Sequence, residues 1–561
     1  MASAEVEKTR SRLATLSIVA VVILVGIPVW LRTTTTYRSW LPMAQIQELA
    51  ELQLDLSANV EVVFVRGTLT PELQKKLPLT RTLDEDHEID RETSLTYRYE
   101  MRYRTATIME EDALNQPTAD AINQSLHALS ESPCGSLVIY IIPLLSLLLP
   151  QDVRVYVGQR RTALLRAGAE TMGGRTLDQV LAYTETRVKE VLRTISFSHD
   201  DITAALSDRV RLSPGRLQTK ADSMRAFKSS PGYEITFSLL NPDPKWHRVH
   251  WDIEGAVYTY VQPMLSKLSP LANFSVDSQM VSYSFLGVNA KFDSNHHAYT
   301  LSADSLPHVI NPVEARLGSN AASSNPLLNF LLYVPDHQHM PLYILDEQKR
   351  QFPSNAFHSP QWGGIMIYNV FGFYGPDMQA FDVNINMTKV MGVFLAQLRL
   401  LLGVHPLSPP AGFLLAPPDS SGLLDWELDR LMWSRTVENI ATATTTITSL
   451  AQLLDQIENI VINDNIAEQV SNAVASLRLA SAELESGNLA FALQYSKEAI
   501  LASERAFFDP SLLHLLYFPD DQKFAIYIPL FVPVAVPAFV ALLHMLVEAI
   551  RKRRDKHAKK D

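Results

Sequence analysis

The chain has 561 residues, of which 47% are hydrophobic and 19% are charged, and its formal net charge is −11. This length can hold two to four domains, and the ordinary apolar fraction excludes a multi-span transporter. The acidic balance excludes nucleic acid as a partner, because nucleic acid requires clustered lysine and arginine. Cys134 is the single cysteine, so an intrachain disulfide is excluded and a buried, unpaired thiol is favoured.

The N-terminal segment predicts a transmembrane helix over residues 13–31, after a cytosolic N-terminus of residues 1–12. The segment carries no charge and, at a rise of about 1.5 Å per residue, matches the ~30 Å core of a bilayer. Arg10 and Arg12 precede the span. Trp30 lies where a signal peptide would have small residues and a cleavage site, so an uncleaved anchor is favoured.

Residues 32–405 predict an α/β body of one or two subdomains, because short apolar runs alternate with amphipathic helical segments. The acidic run from Asp84 to Asp90 is expected to be a solvated loop. Helices are expected at 44–55, 113–129, 176–195, 251–268 and 386–402. Strands are expected at 60–65, 96–104, 137–142, 153–157, 233–239, 274–285, 327–334, 342–345 and 364–368.

The last third of the chain changes character. Residues 406–424 form a proline-rich connector, and residues 425–523 predict a helical bundle that forms a stem. No proline occurs from Asp425 to Phe508, and apolar residues recur at helical spacing. Breaks near Asn463 and Gly487 divide the segment into three or four helices.

A second transmembrane helix is predicted over residues 524–547, followed by a basic cytosolic tail of residues 548–561. Pro529, Pro533 and Pro537 recur every four residues, which favours a kinked span whose proline face packs against other helices. Positive charges flank the cytosolic side of both spans, so both termini are expected in the cytosol and the main body in the lumen.

Three glycosylation sequons agree with that topology. Asn123, Asn273 and Asn386 each begin an Asn-x-Ser/Thr triplet without proline, and all three lie between the spans. Such triplets are common by chance over this length, and their placement is consistent with a lumenal body.

Candidate catalytic groups are sparse. Cys134 precedes an apolar run, and a nucleophilic role would require a partner histidine, so a structural role is favoured. Asp84 and Asp86 have the spacing with which glycosyltransferases hold a metal-bound sugar nucleotide, but they lie within the acidic run.

The histidine pairs lack any nearby cysteine or carboxylate at metal-ligand spacing, which disfavours a metal site. These pairs are His337 with His339, His296 with His297, and His247 with His250. No cofactor is predicted, and the absence of a convergent set favours a non-catalytic subunit.

Several sequence blocks resemble the PIG-S family over essentially the whole chain. They are FLLYVP at 330–335, PLYI at 341–344, FHSPQWGGI at 357–365, VFLAQLR at 393–399 and DRL at 429–431. Trp362 with Gly363 and Gly364 is the most distinctive local block. It is read either as an interface hot spot or, with greater weight, as a buried tryptophan with glycines in a tight turn.

The resemblance implies a non-catalytic scaffolding subunit of the glycosylphosphatidylinositol (GPI) transamidase complex in the endoplasmic reticulum membrane. That complex replaces the C-terminal signal of a proprotein with a GPI lipid. The implied partners are the other subunits, including one with a cysteine-protease-like nucleophile, together with membrane lipids. Two alternatives remain open from the residues alone: a lumenal cargo or glycan receptor, and a lumenal glycosyltransferase using Asp84 and Asp86.

Overall fold

The computed structural model describes residues 2–34, 37–88, 93–129, 132–143, 148–167, 176–196, 199–206, 229–294, 296–317, 325–346, 348–360, 362–371, 380–457, 460–513 and 520–557. The chain forms two compact units. The first consists of Met1–Glu48, Thr446–Val474 and Leu501–Asp561. The second consists of Leu49–Thr445 and Ala475–Ile500.

The strands, in chain order, are β1 (Leu52–Phe64), β2 (Thr80–Glu88), β3 (Thr93–Thr105), β4 (Ser136–Ile142), β5 (Val155–Val157), β6 (Thr162–Arg166), β7 (Gly232–Asn241), β8 (His247–His250), β9 (Asn273–Ser282), β10 (Lys291–Asp293), β11 (Ala298–Ser302), β12 (Leu327–Tyr333), β13 (Leu342–Leu345), β14 (Ala356–Ser359), β15 (Gly363–Ile367), β16 (Phe381–Asn384) and β17 (Phe413–Leu415).

The helices are α1 (Ala2–Val21), α2 (Ile27–Thr34), α3 (Met43–Ala50), α4 (Pro71–Gln74), α5 (Ile108–Leu114), α6 (Ala119–Leu129), α7 (Leu177–Ile195), α8 (His199–Ala205), α9 (Ile253–Ala256), α10 (Gln262–Leu268), α11 (Pro307–Glu314), α12 (Met387–Leu402), α13 (Asp425–Gln456), α14 (Asp464–Glu485), α15 (Leu489–Phe507), α16 (Pro510–Leu513) and α17 (Asp520–His557). A π-helical turn, Val22–Gly26, joins α1 to α2, and another, Val257–Val261, joins α9 to α10.

The second unit contains two main sheets, which confirms the mixed α/β prediction. The larger sheet has seven strands in the order β17-β5-β6-β4-β1-β3-β2. The other main sheet has five strands in the order β14-β15-β12-β7-β9. Smaller sheets pair β10-β11-β13 and β16-β8.

Strands buried on both faces explain the continuous apolar runs in the sequence. In β4, Leu137 and Ile139 pack into one core cluster, while Val138 and Tyr140 pack into another on the opposite face. Side chains alternate across a strand, so a strand covered on both faces needs apolar residues at every position. The predicted strand at 137–142 is confirmed for this reason.

Several predicted boundaries were wrong. The helix expected at 44–55 ends at Ala50, and β1 begins at Leu52. The helix expected at 113–129 is two helices, α5 and α6, separated by a segment that contains Pro117. The acidic run was expected to be a loop, but Asp84 and Asp86 lie in β2, which pairs antiparallel with β3. Pairing with a neighbouring strand overrode the weak strand propensity of aspartate and glutamate.

The predicted C-terminal helical region is confirmed as three long helices, α13, α14 and α15, with breaks at the expected places. Gly487 adopts a positive φ of 78° where the second break falls, a conformation that favours glycine.

The first unit contains apolar helical windows at Arg12–Val29 and Phe531–Arg551, each long and apolar enough to cross a membrane. Arg12 of α1 pairs with Glu548 of α17. On α17 the partly buried positions Ala538, Ala541 and Met545 recur at helical spacing, while the three prolines are exposed. Small residues at a helix–helix contact allow close backbone approach.

Candidate functional site

The beginning of α13 carries several buried ion pairs. Its first two turns carry three acidic side chains, Asp425, Glu427 and Asp429, all buried. Acidic residues at a helix start complement the positive end of the helix dipole. We call these three carboxylates and their cationic partners the α13 ion-pair cluster.

Asp425 contacts two cations from separate elements. Lys267 Nζ of α10 lies 2.8 Å from its Oδ1, and Arg160 Nη1 lies 3.2 Å from its Oδ2. Burial disfavours the charged carboxylate, but the Lys267 hydrogen bond and the nearby cations prevail and lower the pKa of Asp425. The carboxylate therefore stays ionised and joined to both partners.

Glu427 and Asp429 each accept a two-point contact from an arginine. Arg399 of α12 lies 2.7 Å and 3.1 Å from the two oxygens of Glu427. Arg161, which precedes β6, places Nε 2.6 Å from Asp429 Oδ2 and Nη2 2.8 Å from Oδ1. Such forked contacts fix the direction of both side chains as well as their separation.

The next residue on α13 extends the cluster, because Arg430 Nη2 lies 2.8 Å from Asp201 Oδ2 of α8. The DRL block at 429–431 and the last residue of the VFLAQLR block, Arg399, therefore meet here. The cluster connects α13 to α8, α10, α12 and the β5–β6 turn, and it contains neither a nucleophile–base pair nor an open ligand position. The cluster therefore serves to hold these elements in position.

Cys134 borders the cluster. Arg161 Nη2 donates to its Sγ at 3.5 Å, and no histidine contacts the thiol within the described parts of the chain. Burial raises the pKa of Cys134, the charge of Arg161 opposes that rise, and Asp429 and Asp425 add to it. The thiol is therefore less ionised than a free cysteine, which disfavours nucleophilic chemistry.

The two aspartates of the glycosyltransferase hypothesis are engaged within the sheet. Asp84 Oδ1 lies 3.3 Å from Arg98 Nε, and Asp86 Oδ1 accepts a hydrogen bond from Thr96 Oγ1 at 2.9 Å. Both partners lie on the neighbouring strand β3. Cross-strand pairing of this kind stabilises an exposed sheet edge, and it gives Asp84 and Asp86 a structural role.

The two histidines of the first candidate pair contact different carboxylates. His337 Nδ1 lies 2.5 Å from Asp243 Oδ2, and His339 Nδ1 lies 2.8 Å from Asp336 Oδ2. His247 is buried, and burial lowers its pKa.

One histidine of each remaining pair also contacts a carboxylate. His250 contacts Asp382 at 3.2 Å, and His296 contacts Asp293 at 2.8 Å. No group of three or more His, Cys, Asp or Glu residues suited to a metal occurs among the described residues.

Glu110 is a further buried acid that sequence reasoning missed. Glu110 Oε1 accepts from Arg104 Nη2 at 2.6 Å and from the Tyr140 hydroxyl at 2.9 Å, and Glu110 forms a capping box with Thr107. Burial raises the pKa of Glu110, but the Arg104, Thr107 and Tyr140 hydrogen bonds outweigh it and bring the pKa to about 2. The Thr-x-x-Glu spacing before α5 is the signal that could have revealed this cap.

The three sequons differ in accessibility. Asn273 is exposed at the start of β9. Asn386 is exposed and caps α12, where its Oδ1 accepts from Lys389 N at 3.2 Å and its Nδ2, the atom that carries a glycan, takes no part in the cap. Asn123 is only 3% exposed, accepts a hydrogen bond from Thr162, and lies against Gly158.

The tryptophan–glycine block is part of the core. Trp362 is 8% exposed and belongs to a buried cluster, so the buried-tryptophan reading is the better one. Its glycines lie in β15 and not in a tight turn: a Cβ on Gly363 would fall 1.8 Å from the carbonyl oxygen of Asn329, and one on Gly364 would fall 2.0 Å from Gln397 Oε1. Glycine is needed here for close strand and helix packing.

These features define a mixed α/β protein with a helical C-terminal region and an apolar helix of membrane-spanning length near each end. The model of the family described as "Phosphatidylinositol-glycan biosynthesis class S protein" matches residues 17–552. The chain belongs to this PIG-S family.

The chain is similar over its full length to animal relatives. It is 49% identical to the GPI-anchor transamidase component PIGS of Bos taurus over 561 residues, which is 100% of this chain and 99% of that protein. It is 49% identical to the Homo sapiens protein of that name over 554 residues, 99% of this chain and 98% of that protein. Similarity to the GPI transamidase component GPI17 of Saccharomyces cerevisiae is 25% over 344 residues, 59% of this chain and 60% of that protein.

Proposed function

We propose that this protein is a subunit of a GPI transamidase complex and that it contributes architecture and binding surfaces while another subunit supplies the nucleophile. The observation that carries the proposal is the 49% identity over the complete chain to a protein named as a component of that complex. The environment of Cys134, with a raised thiol pKa and an arginine neighbour, supports a structural role for the single cysteine.

The proposed location is the endoplasmic reticulum membrane, with both termini in the cytosol and the main body in the lumen. The terminal apolar helices and the basic residues on the outer side of each support this topology. The exposed sequons Asn273 and Asn386 support it as well, because glycans are added on the lumenal side.

The α13 ion-pair cluster is proposed to make the second unit rigid, so that it can hold partner subunits in fixed positions. It joins α13 to elements that pack on both main sheets through charge-assisted contacts of 2.6–3.2 Å. Membrane lipids are proposed partners of the terminal helices alone.

The proposal is tested by purifying the full-length tagged chain in mild detergent and identifying what remains bound by mass spectrometry. Recovery of the other transamidase subunits in comparable amounts is expected. In cells lacking the protein, GPI-anchored proteins should disappear from the surface and return when the chain is re-expressed. Intact GPI attachment in its absence would overturn the proposal.

A further inference from the structure

Strand β9 forms an edge of the five-stranded sheet and pairs on one side only, with β7. The flanking bonds from Asn273 N to Pro231 O (3.0 Å) and from Tyr283 N to Asn241 O (2.8 Å) show that odd-numbered residues face β7. Even-numbered residues therefore direct their peptide groups away from the sheet. These are Phe274, Val276, Ser278, Met280 and Ser282, and none has a backbone partner among the described residues.

An open edge of this length is a template for pairing with another chain, and proteins ordinarily protect such edges with charges, proline, brevity or a covering element. The other described edge strands follow that rule. Strands β8, β10, β13, β14, β16 and β17 have three or four residues each. Strand β2 is longer, with nine residues, but it carries Arg81 and four acidic residues.

Strand β9 is less protected, and no described strand pairs with its outer edge. It has ten residues and contains no proline, lysine or arginine, and Asp277 is its only charged residue. The strand itself is held in place, because Phe274 stacks on Tyr233 with ring centroids 5.6 Å apart. At the far end, Met280 is 48% exposed and Tyr283 is 66% exposed. The fold thus presents a rigid, nearly uncharged edge that ends in exposed apolar residues.

We propose that β9 is a docking edge at which another subunit of the complex adds an extended strand. Main-chain hydrogen bonds to the even-numbered peptide groups would give affinity, and an apolar side chain of the partner would cover Met280. A glycan on Asn273, at the first residue of β9, leaves residues 276–282 open, a length of about 20 Å. This inference rests on the proposed function, because the partner is a subunit of the same assembly.

The test uses the full-length tagged chain with proline at an outward position. Ser278→Pro removes an N–H that no sheet bond uses, so the fold should tolerate it while pairing with a partner strand is lost. Ser278→Ala keeps the N–H and controls for the side chain. Thr82→Pro is the matched control on β2, the other long edge strand. Tyr103 N donates to Leu79 O at 3.1 Å, so in this antiparallel pair the odd-numbered residues of β2 bond to β3 and the N–H of Thr82 points outward.

Subunits retained by each variant are quantified by mass spectrometry after detergent purification. We expect Ser278→Pro to lower the recovery of at least one subunit about tenfold, which corresponds to the loss of about one hydrogen bond, while both controls behave as wild type. Equal recovery by Ser278→Pro would overturn the proposal. Loss by Thr82→Pro as well would also overturn it, because the effect would then not belong to β9.

Hydrogen exchange provides a second readout, which uses the wild-type chain and therefore does not depend on whether a variant folds. In the assembled complex the amides of Val276, Ser278 and Met280 should exchange at least tenfold more slowly than in the isolated chain, while odd-numbered amides stay protected in both. Equal exchange in both states, or retention of only a second copy of this chain, would overturn the inference. Failure of the wild-type chain to retain any transamidase subunit would instead refute the proposed function.

Discussion

The Arg161–Asp429 pair is expected to contribute strongly to the stability of the second unit. Asp429 is 3% exposed and Arg161 is 13% exposed at the side chain, and their two contacts measure 2.6 Å and 2.8 Å. Removing one partner of such a buried pair leaves an uncompensated charge, which typically costs about 3–5 kcal/mol. Arg161→Met and Asp429→Asn should each lower the free energy of unfolding by about this amount.

The two variants should differ in pH dependence. Burial raises the pKa of Asp429, and Arg161 opposes that rise. The pKa of Asp429 is raised even with Arg161 present, and in Arg161→Met it rises further, so the folded state binds a proton still more tightly than the unfolded state does. Stability of this variant should be greatest below the unfolded pKa of about 4 and should fall as the pH rises. Asp429→Asn lacks the carboxylate and should not show this dependence.

Unfolding by denaturant can be followed through the fluorescence of the buried residues Trp426 and Trp433, which lie on α13 beside the pair. Replacing both charges, in Arg161→Met with Asp429→Asn, should cost less than the sum of the two single changes. Arg350→Met breaks an exposed pair with Asp346 and is the control, with an expected change below about 1 kcal/mol. Single changes at Arg161 and Asp429 that cost no more than this control would refute the reasoning.

Three further predictions concern other parts of the second unit. Glu110→Gln should destabilise the protein by about 2–3 kcal/mol at neutral pH, because the charge-assisted hydrogen bonds to the carboxylate are lost. The wild type should lose the same contribution as the pH falls from about 4 to about 2, and both effects are measured as a shift in denaturant midpoint. Asn273→Gln and Asn386→Gln should each remove one glycosidase-sensitive step in gel mobility, whereas Asn123→Gln should leave mobility unchanged and lower the thermal midpoint. Gly364→Ala should cost about 1–3 kcal/mol in denaturant unfolding, because its Cβ would meet Gln397.

Each of these has a clear contrary outcome. A Glu110→Gln protein as stable as wild type at pH 7 would show that the Arg104 contact contributes little. A mobility step lost with Asn123→Gln would mean that this site is modified before the domain closes. A Gly364→Ala protein with wild-type stability would show that Gln397 moves aside without loss.

Much of the local structure could be predicted because it depends on local periodicity. The strands at 137–142 and 327–334 were evident as continuous apolar runs, and the long helices α7 and α12 as amphipathic segments. The missed strands were those whose pattern conflicts with their environment. Strand β2 is rich in charge, and β8 and β17 have only four and three residues, too few to show a period.

The ion pairs could not be predicted, because their partners are distant in the chain. Arg161 and Asp429 are separated by 268 residues, and His337 and Asp243 by 94. The sequence alone shows only that arginines and aspartates are present. From the sequence, no carboxylate was expected near the histidines at metal-ligand spacing. Because β7 pairs with β12, Asp243 after β7 comes into contact with His337 after β12.

The sequence by itself determined family membership, the two apolar terminal helices, the mixed α/β class and the helical character of the C-terminal region, because each depends on composition, motif or periodicity within a short window. Tertiary structure decided which sequons are accessible, that the tryptophan–glycine block is core, and that β9 is an open edge. Those properties depend on which surfaces are covered by residues far away in the chain, and local sequence does not contain that information.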